Sequence, residues 1–383
     1  MRLRHPDGQV VHLSYCTNVH AAEDLAGILE QLDTYAVPIR ERLGADVLGL
    51  GLWLAAPVAA GLASDGAARQ RLRGALTARG LEVVTLNGFP YQSFQAPVVK
   101  YAVYQPDWTT PQRLAYTMDL AKILTDLLPA DAVRGSVSTL PLAWRDPWDA
   151  ARASACRRAL DELARQLHQL PRPVRVAFEP EPGCIVETTA EAVALLGEAD
   201  TEVLGVCLDL AHLACAWEEP AEAVGRLREA GIPIVKTQIS AALVSEDPHR
   251  DAVVLSEYAE RRFLHQTRGP HGLSADDLDE ALCTPGADEQ PWRIHYHVPL
   301  HQPPVPPLRT TVGVLADALR EIAGGDTALC DHFDVETYTW NVLPPASRPD
   351  GPAELANGIA SELFFARAQL TALGLAVTQG VPS

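Results

Sequence analysis

The chain has 383 residues, 47% of them hydrophobic and 6% aromatic, enough to bury a large core as one big domain or two ordinary ones. Its 49 acidic against 31 basic residues give a formal charge of -18, a field that repels phosphate backbones and anionic membrane surfaces and argues against a nucleic-acid partner. Seven cysteines, odd in number and without a CxxC pair, and the polar stretch "MRLRHPDGQV" point to reduced thiols and a cytoplasmic protein.

Short apolar runs rich in Val, Ile and Leu recur at about 10–16, 46–54, 82–87, 132–138, 174–179, 204–209, 232–239 and 330–336. The second lies inside "VLGLGLWLAAPVAAGLA" at 47–63, nearly long enough to cross a bilayer, but Pro57 and the glycines suit a buried strand and a loop better, so no integral membrane segment is expected. Between the runs come helical patterns with apolar residues three and four apart, among them "AAEDLAGILEQL", "TPQRLAYTMDLAKILTDLL", "TTAEAVALLGEA", "TTVGVLADALREIAG" and, last, "ELANGIASELFFARAQLTALGL". Eight strands each followed by a helix predict a (β/α)8 TIM barrel, a single domain over 1–383. The rival, an open doubly wound sheet, lacks a Gly-rich fingerprint after its first strand. Two interruptions, "GFPYQSFQAPVVKYAVYQPDW" after the third strand and 241–291 after the seventh, belong with βα-loops, where a barrel builds its site.

Chemistry concentrates where the predicted strands end. "VRVAFEPEPG" closes its strand with Glu179, two residues before Glu181; "VLGVCLDLAHLACAWE" ends with Asp209 and continues to His212; "LCDHFDVETYTW" ends with Glu336. "IPIVKTQIS" puts Lys236 and Gln238 on one face, and "WRIHYHVPLH", read as a strand, puts His295 and His297 on one face. Carboxylates and imidazoles meeting at one barrel mouth suit Zn²⁺, Mn²⁺ or Fe²⁺. Each piece has a plainer reading: a strand-end acid caps a helix or pairs with an arginine, a buried histidine satisfies itself in the core, and His20 in "CTNVH" starts a helix. Lys236, one of only three lysines, is either a Schiff-base nucleophile or the partner of Glu179, Asp209 or Glu336 in a salt bridge.

These motifs resemble the xylose isomerase-like barrels, a superfamily of sugar isomerases and epimerases that also holds the endonuclease IV type of nuclease. The resemblance implies metal ligands at Glu179, Asp209, His212, His295, His297 and Glu336, with Gln238 where a histidine is usual. It also implies catalytic roles for Glu179, Glu336 and His212: the metal polarises a keto or polyol substrate, and a carboxylate moves the proton beside the carbonyl. Lys236, facing inward with Gln238, is a further catalytic candidate on its own position, as the Schiff-base amine. His20, Asn87, Tyr338 and Trp340 would shape the pocket. More narrowly, "YCTNVH", "FEPEPGCIVETT", "CLDLAHLACAWE" and "VETYTWNVLP" are similar to the E components of the bacterial ebo gene cluster, a family of metabolite traffic proteins. That likeness implies a small-molecule metabolite, with an apolar or aromatic part suggested by the loop aromatics, and contact with other ebo-cluster proteins. A metabolite carrier that binds without turnover and a metal-dependent phosphodiesterase stand as alternatives, the second disfavoured by the charge.

Overall fold

The computed structural model of the protein describes residues 1–378, and the last five residues of the expected domain lie outside them. Eight parallel strands close into a barrel: β1 (Val10–Cys16), β2 (Leu48–Trp53), β3 (Leu81–Asn87), β4 (Gly135–Thr139), β5 (Val174–Phe178), β6 (Leu204–Asp209), β7 (Ile234–Ile239) and β8 (His332–Val335). Each pairs with the next in sequence, and β8 returns to β1 in the register His332–His12 to Val335–Tyr15. Near-continuous apolar strands are what this topology demands, since helices cover the outer face while side chains fill the inner one. Leu13, Leu50 and Phe333 are fully buried, each stabilising by about 1.5–3 kcal/mol relative to exposure.

The helices follow the expected patterns, and their caps are side chains the sequence supplies. Asp65, Asp149 and Thr188 each accept from the backbone of the first turn, Thr188 in a reciprocal capping box with Glu191. Among the boundaries that differ from expectation, two change what an element is or where it starts. The first helix begins at Leu25 under an Asp24 cap rather than at residue 21. The apolar run after β2 continues as the helix Ala56–Ser64, not a loop, because its Ala and Leu residues bury one face and Pro57 sits in the first turn, where a missing N–H costs nothing. Among the described residues no helix is long and apolar enough to cross a membrane.

The larger insertion runs from the end of β7 to the helix Val312–Ala323 and is a structure in itself. It holds a five-stranded antiparallel sheet in the order Ser274–Ala275, Thr267–Arg268, Trp292–Ile294, Leu243–Ser245, Arg309–Thr310. The segment "WRIHYHVPLH", expected beyond an insertion ending at 291, therefore lies within it. One glycine shapes the barrel interior: a Cβ on Gly51 would stand 1.8 Å from Asp334 Oδ2, so only glycine leaves β8 room to lean that carboxylate across β1.

Candidate functional site

Parallel strands in a closed barrel present their carboxyl ends on one rim, which brings together residues distant in sequence. Glu179 follows β5, Asp209 ends β6 and Glu336 follows β8, and all three are buried. Asp209 Oδ1 caps the next helix, accepting from the backbone of Ala211 at 2.8 Å and His212 at 2.9 Å, and takes the Ser240 hydroxyl at 2.8 Å. The capping reading of Asp209 thus holds for one oxygen, while Oδ2 has no partner. Glu336 Oε1 accepts the side-chain amides of Asn18 at 2.8 Å and Asn87 at 2.9 Å, and Glu179 Oε2 is unpartnered.

The two imidazoles do not reach the rim as neighbours on a strand. Regular strand ends at Ile294, and the Tyr296 amide donates back to the Ile294 carbonyl at 2.7 Å, closing a three-residue turn around His295. The turn breaks the alternation, yet His295 and His297 still meet, their ring centroids 5.1 Å apart, while Tyr296 stacks on His265 on the other side.

The outer nitrogen of each imidazole fixes its tautomer. His212 Nδ1 donates to the Pro180 carbonyl at 2.8 Å and His297 Nδ1 to the Glu336 carbonyl at 2.8 Å, partners that can only accept. His295 Nδ1 donates to Gln266 Oε1 at 2.8 Å; that amide is oriented by its own donation to Tyr104 Oη and the Pro182 carbonyl. Three Nε2 lone pairs are therefore turned toward one another, 2.9 Å apart between His212 and His295 and 3.2 Å between His295 and His297. Nitrogens sharing one tetrahedral zinc-sized ion stand roughly 3.4 Å apart, a spacing these imidazoles approach. Three overlapping sets have donor atoms within 4.8 Å of one another: His212, His295 and His297; Glu179, Asp209 and His212; Asp209, His297 and Glu336.

The electrostatics point the same way. Burial, reinforced by Glu336 and Asp209, pushes the Glu179 carboxyl well above its usual range, and burial pushes Glu336 up to about 7 against the pull of His297. Burial lowers His212 to about 4 and His295 well below the ordinary imidazole value. None of Glu179, Glu181, Asp209 and Glu336 forms an ion pair with Arg or Lys among the described residues. Lys236, whose ammonium lies inside the barrel, is committed elsewhere. It pairs with Asp334 at 2.9 Å rather than with Glu179, Asp209 or Glu336, because Asp334 is the acid that β8 turns inward beside β7. Although burial works against its charge, Asp334 holds that ammonium above the usual lysine range. Gln238 sits between Asp209 and Asp334 in the strand register, buried, with both amide atoms unpartnered. This donor set, with bare oxygens and convergent imidazoles, fits a divalent metal ion.

Above it lies a cavity with about 480 Å³ of empty space, part of it open to solvent. Asn87 and Tyr338 line it as expected; His20 does not, being stacked on Tyr35 at 4.1 Å, and Trp340 instead donates to Glu362 at 3.1 Å. Glu181, Asn18 and Tyr104 also line it, without a role foreseen from the sequence. Glu181 Oε2 is 3.1 Å from His212 Nε2, and its Oε1 accepts the Tyr104 hydroxyl at 2.8 Å. The signal for Glu181 was the Glu-Pro-Glu spacing, in which proline carries the chain on in extended form and returns the second acid to the same side.

Comparison with known proteins agrees with this architecture. The family model described as "Xylose isomerase-like TIM barrel" matches residues 41–273, more than half of the chain. Solved structures align at low identity. A xylose isomerase-like TIM barrel protein from Mycobacterium smegmatis in complex with magnesium is 14% identical, with 95% of this chain and 98% of that one covered and a TM-score of 0.54. A D-allulose 3-epimerase from Methylomonas sp. is 13% identical, with 94% and 98% covered and a TM-score of 0.53. The IOLI protein with a bound zinc atom is 13% identical, with 94% and 97% covered and a TM-score of 0.50. No curated protein matches the sequence.

Proposed function

Since the chain belongs to the xylose isomerase-like TIM barrel family, we propose that it is a metal-dependent isomerase or epimerase acting on a small-molecule metabolite, moving a proton at the carbon beside a carbonyl. The observation that carries this reading is the convergence of three Nε2 lone pairs with the unpartnered oxygens of Glu179 and Asp209 at the floor of the cavity. Glu179, Asp209, His297 and Glu336, with His212 and His295, would hold a divalent ion of zinc, manganese or iron. Such an ion polarises a carbonyl oxygen and makes the neighbouring proton acidic.

The chain's own residues supply the rest. Glu179 and Glu336 both open onto the cavity, so one takes the proton and the other is placed to return it. Asn18 and Asn87 pin one oxygen of Glu336, which fixes the direction of the other. Tyr338 brings its hydroxyl to 3.5 Å from His295 Nε2, within reach of a substrate oxygen that would sit there. The motifs shared with the E components of the ebo cluster support a narrower placement among metabolite traffic proteins, with other ebo-cluster proteins as partners.

The test is exchange of the α-protons of simple hydroxyketones in D2O, followed by NMR with the metal-loaded protein. Exchange that disappears in Glu179→Gln and Glu336→Gln supports proton transfer. No exchange by a protein that does hold metal would replace this reading with metabolite binding and hand-over without turnover.

A further inference from the structure

We propose that the cavity is built for a substrate with two unlike halves: an oxygen-bearing head that meets the carboxylates and imidazoles, and a flat, apolar, aromatic tail. The head rests on the proton-transfer reading above; the tail rests on the opposite wall alone. That wall is formed by Phe89, Phe94, Val99, Val103, Phe263 and Tyr338, delivered by three segments far apart in the chain. Phe94, Phe263 and Tyr338 make a closed trio with ring centroids 5.1, 5.2 and 4.8 Å apart, and Phe94 leans in turn on Trp53 at 6.4 Å.

The wall is held open rather than left to collapse. The amides of Val99 and Lys100 both donate to the Arg262 carbonyl, at 2.7 and 2.8 Å, and the Arg262 guanidinium reaches Gln95 Oε1 at 3.0 Å, so the two insertions clasp each other across the mouth. A preformed apolar surface of this kind gains from burying an aromatic ring, which also finds edge-to-face partners there.

Other tails fit poorly. Among the described residues no arginine lines the cavity, and its one lysine, Lys100, spends its ammonium on Asp277 at 2.5 Å and the Glu260 carbonyl at 3.1 Å. A phosphate on the tail would meet no unpaired cation among the residues that line the cavity, with Glu179, Glu181 and Glu336 across it. A polyol tail would press hydroxyls against carbon, and each one left without a partner costs about tenfold in affinity. The only polar atom the trio offers is the Tyr338 hydroxyl, and it lies at the head end, 3.5 Å from His295 Nε2.

The experiment compares binding of 2-hydroxyacetophenone, dihydroxyacetone and dihydroxyacetone phosphate to the full chain by NMR titration, with and without its metal. The head group is common to the first two, so only the tail differs. The expected order places the aromatic probe about tenfold or more ahead of dihydroxyacetone, from burial of its ring, with the phosphate weakest. Phe94→Ser and Phe263→Ser each remove most of that preference while leaving metal content and dihydroxyacetone binding unchanged, and Phe94→Leu keeps it. Equal affinity of the first two probes for the unaltered protein, or tightest binding of the phosphate, overturns the proposal whatever the variants do. Aromatic preference in protein that holds its metal but shows no exchange upholds the wall and sinks the proton-transfer reading. Metal and exchange without the preference do the reverse.

Discussion

The two ends of the barrel bury the same kinds of side chain and treat them in opposite ways. At the amino end, His12, Glu82, Asp331 and His332 are buried, and each acid has a cation: Arg2 bridges Glu82 at 2.6 Å and Asp131 at 2.5 Å, and Arg134 reaches Asp331 at 2.8 Å. His332 Nδ1 meets the Ser136 hydroxyl at 2.7 Å. At the carboxyl end the acids are as deeply buried, and no arginine or lysine comes to them among the described residues. Burial alone therefore does not mark a functional acid. What marks it is a deficit of positive charge that the chain has not supplied, here in a place where three imidazole lone pairs already face inward.

The comparison can be broken by removing a cation the chain does supply. Lys236→Met leaves Asp334 buried and alone, and breaking a buried pair in this way costs about 3–5 kcal/mol. Urea unfolding of the variant measures it, and borohydride treatment of the unaltered protein with a carbonyl ligand gives no adduct at Lys236. A loss below about 1 kcal/mol or a trapped adduct would mean that the pair is not what holds this lysine.

Next in size is the amino end. Arg2→Met leaves the buried Glu82 without its arginine and is expected to cost roughly 3 kcal/mol with metal content unchanged. Metal loss in that variant would show that the two ends are not independent.

A third prediction sharpens the role of donors where no cation is present. Glu362 on the last helix accepts from the Leu300 amide at 3.2 Å, the Thr337 hydroxyl at 2.6 Å and the Trp340 indole at 3.1 Å, tying the chain just after each of His297 and Glu336. Burial pushes it up to about 7 despite those donors. A carboxyl raised in the folded state favours the protonated form, so its contribution to stability is present below about pH 4.5 and is lost as pH rises toward 7. Glu362→Gln should therefore gain on the unaltered protein between pH 5 and 8, by up to roughly 3 kcal/mol in urea midpoints converted to free energy. A difference that does not change with pH would contradict it. The smallest effect is expected from Tyr338→Phe, which keeps the apolar wall and removes one hydroxyl: about 2- to 10-fold in binding of hydroxyketones, measured by titration, with metal retained.

Much of the barrel was legible because its strands are long apolar runs and its helices carry their own caps. Glu179, Asp209 and Glu336 could be placed because a strand end in a parallel barrel has only one rim to point to. What escaped the sequence has physical reasons. Strands of two and three residues, such as Thr267–Arg268 and Trp292–Ile294, are too short to show a period, so the insertion's sheet left no trace. The turn around His295 depends on one backbone hydrogen bond that no residue type announces. Asp334 was hidden as the partner of Lys236 because only the register of β8 beside β7, and the missing Cβ of Gly51, bring them together.

The decisive property of the mouth is whether it holds a metal. Elemental analysis by mass spectrometry, on protein purified without added metal and without a metal-binding tag, should find about one or more equivalents of zinc, manganese or iron. The same measurement on His297→Ala and Glu336→Gln should find most of it gone, with the fold intact by circular dichroism. No metal in the unaltered protein after incubation with each ion, or full metal content in both variants, would mean that these residues do not form a metal site.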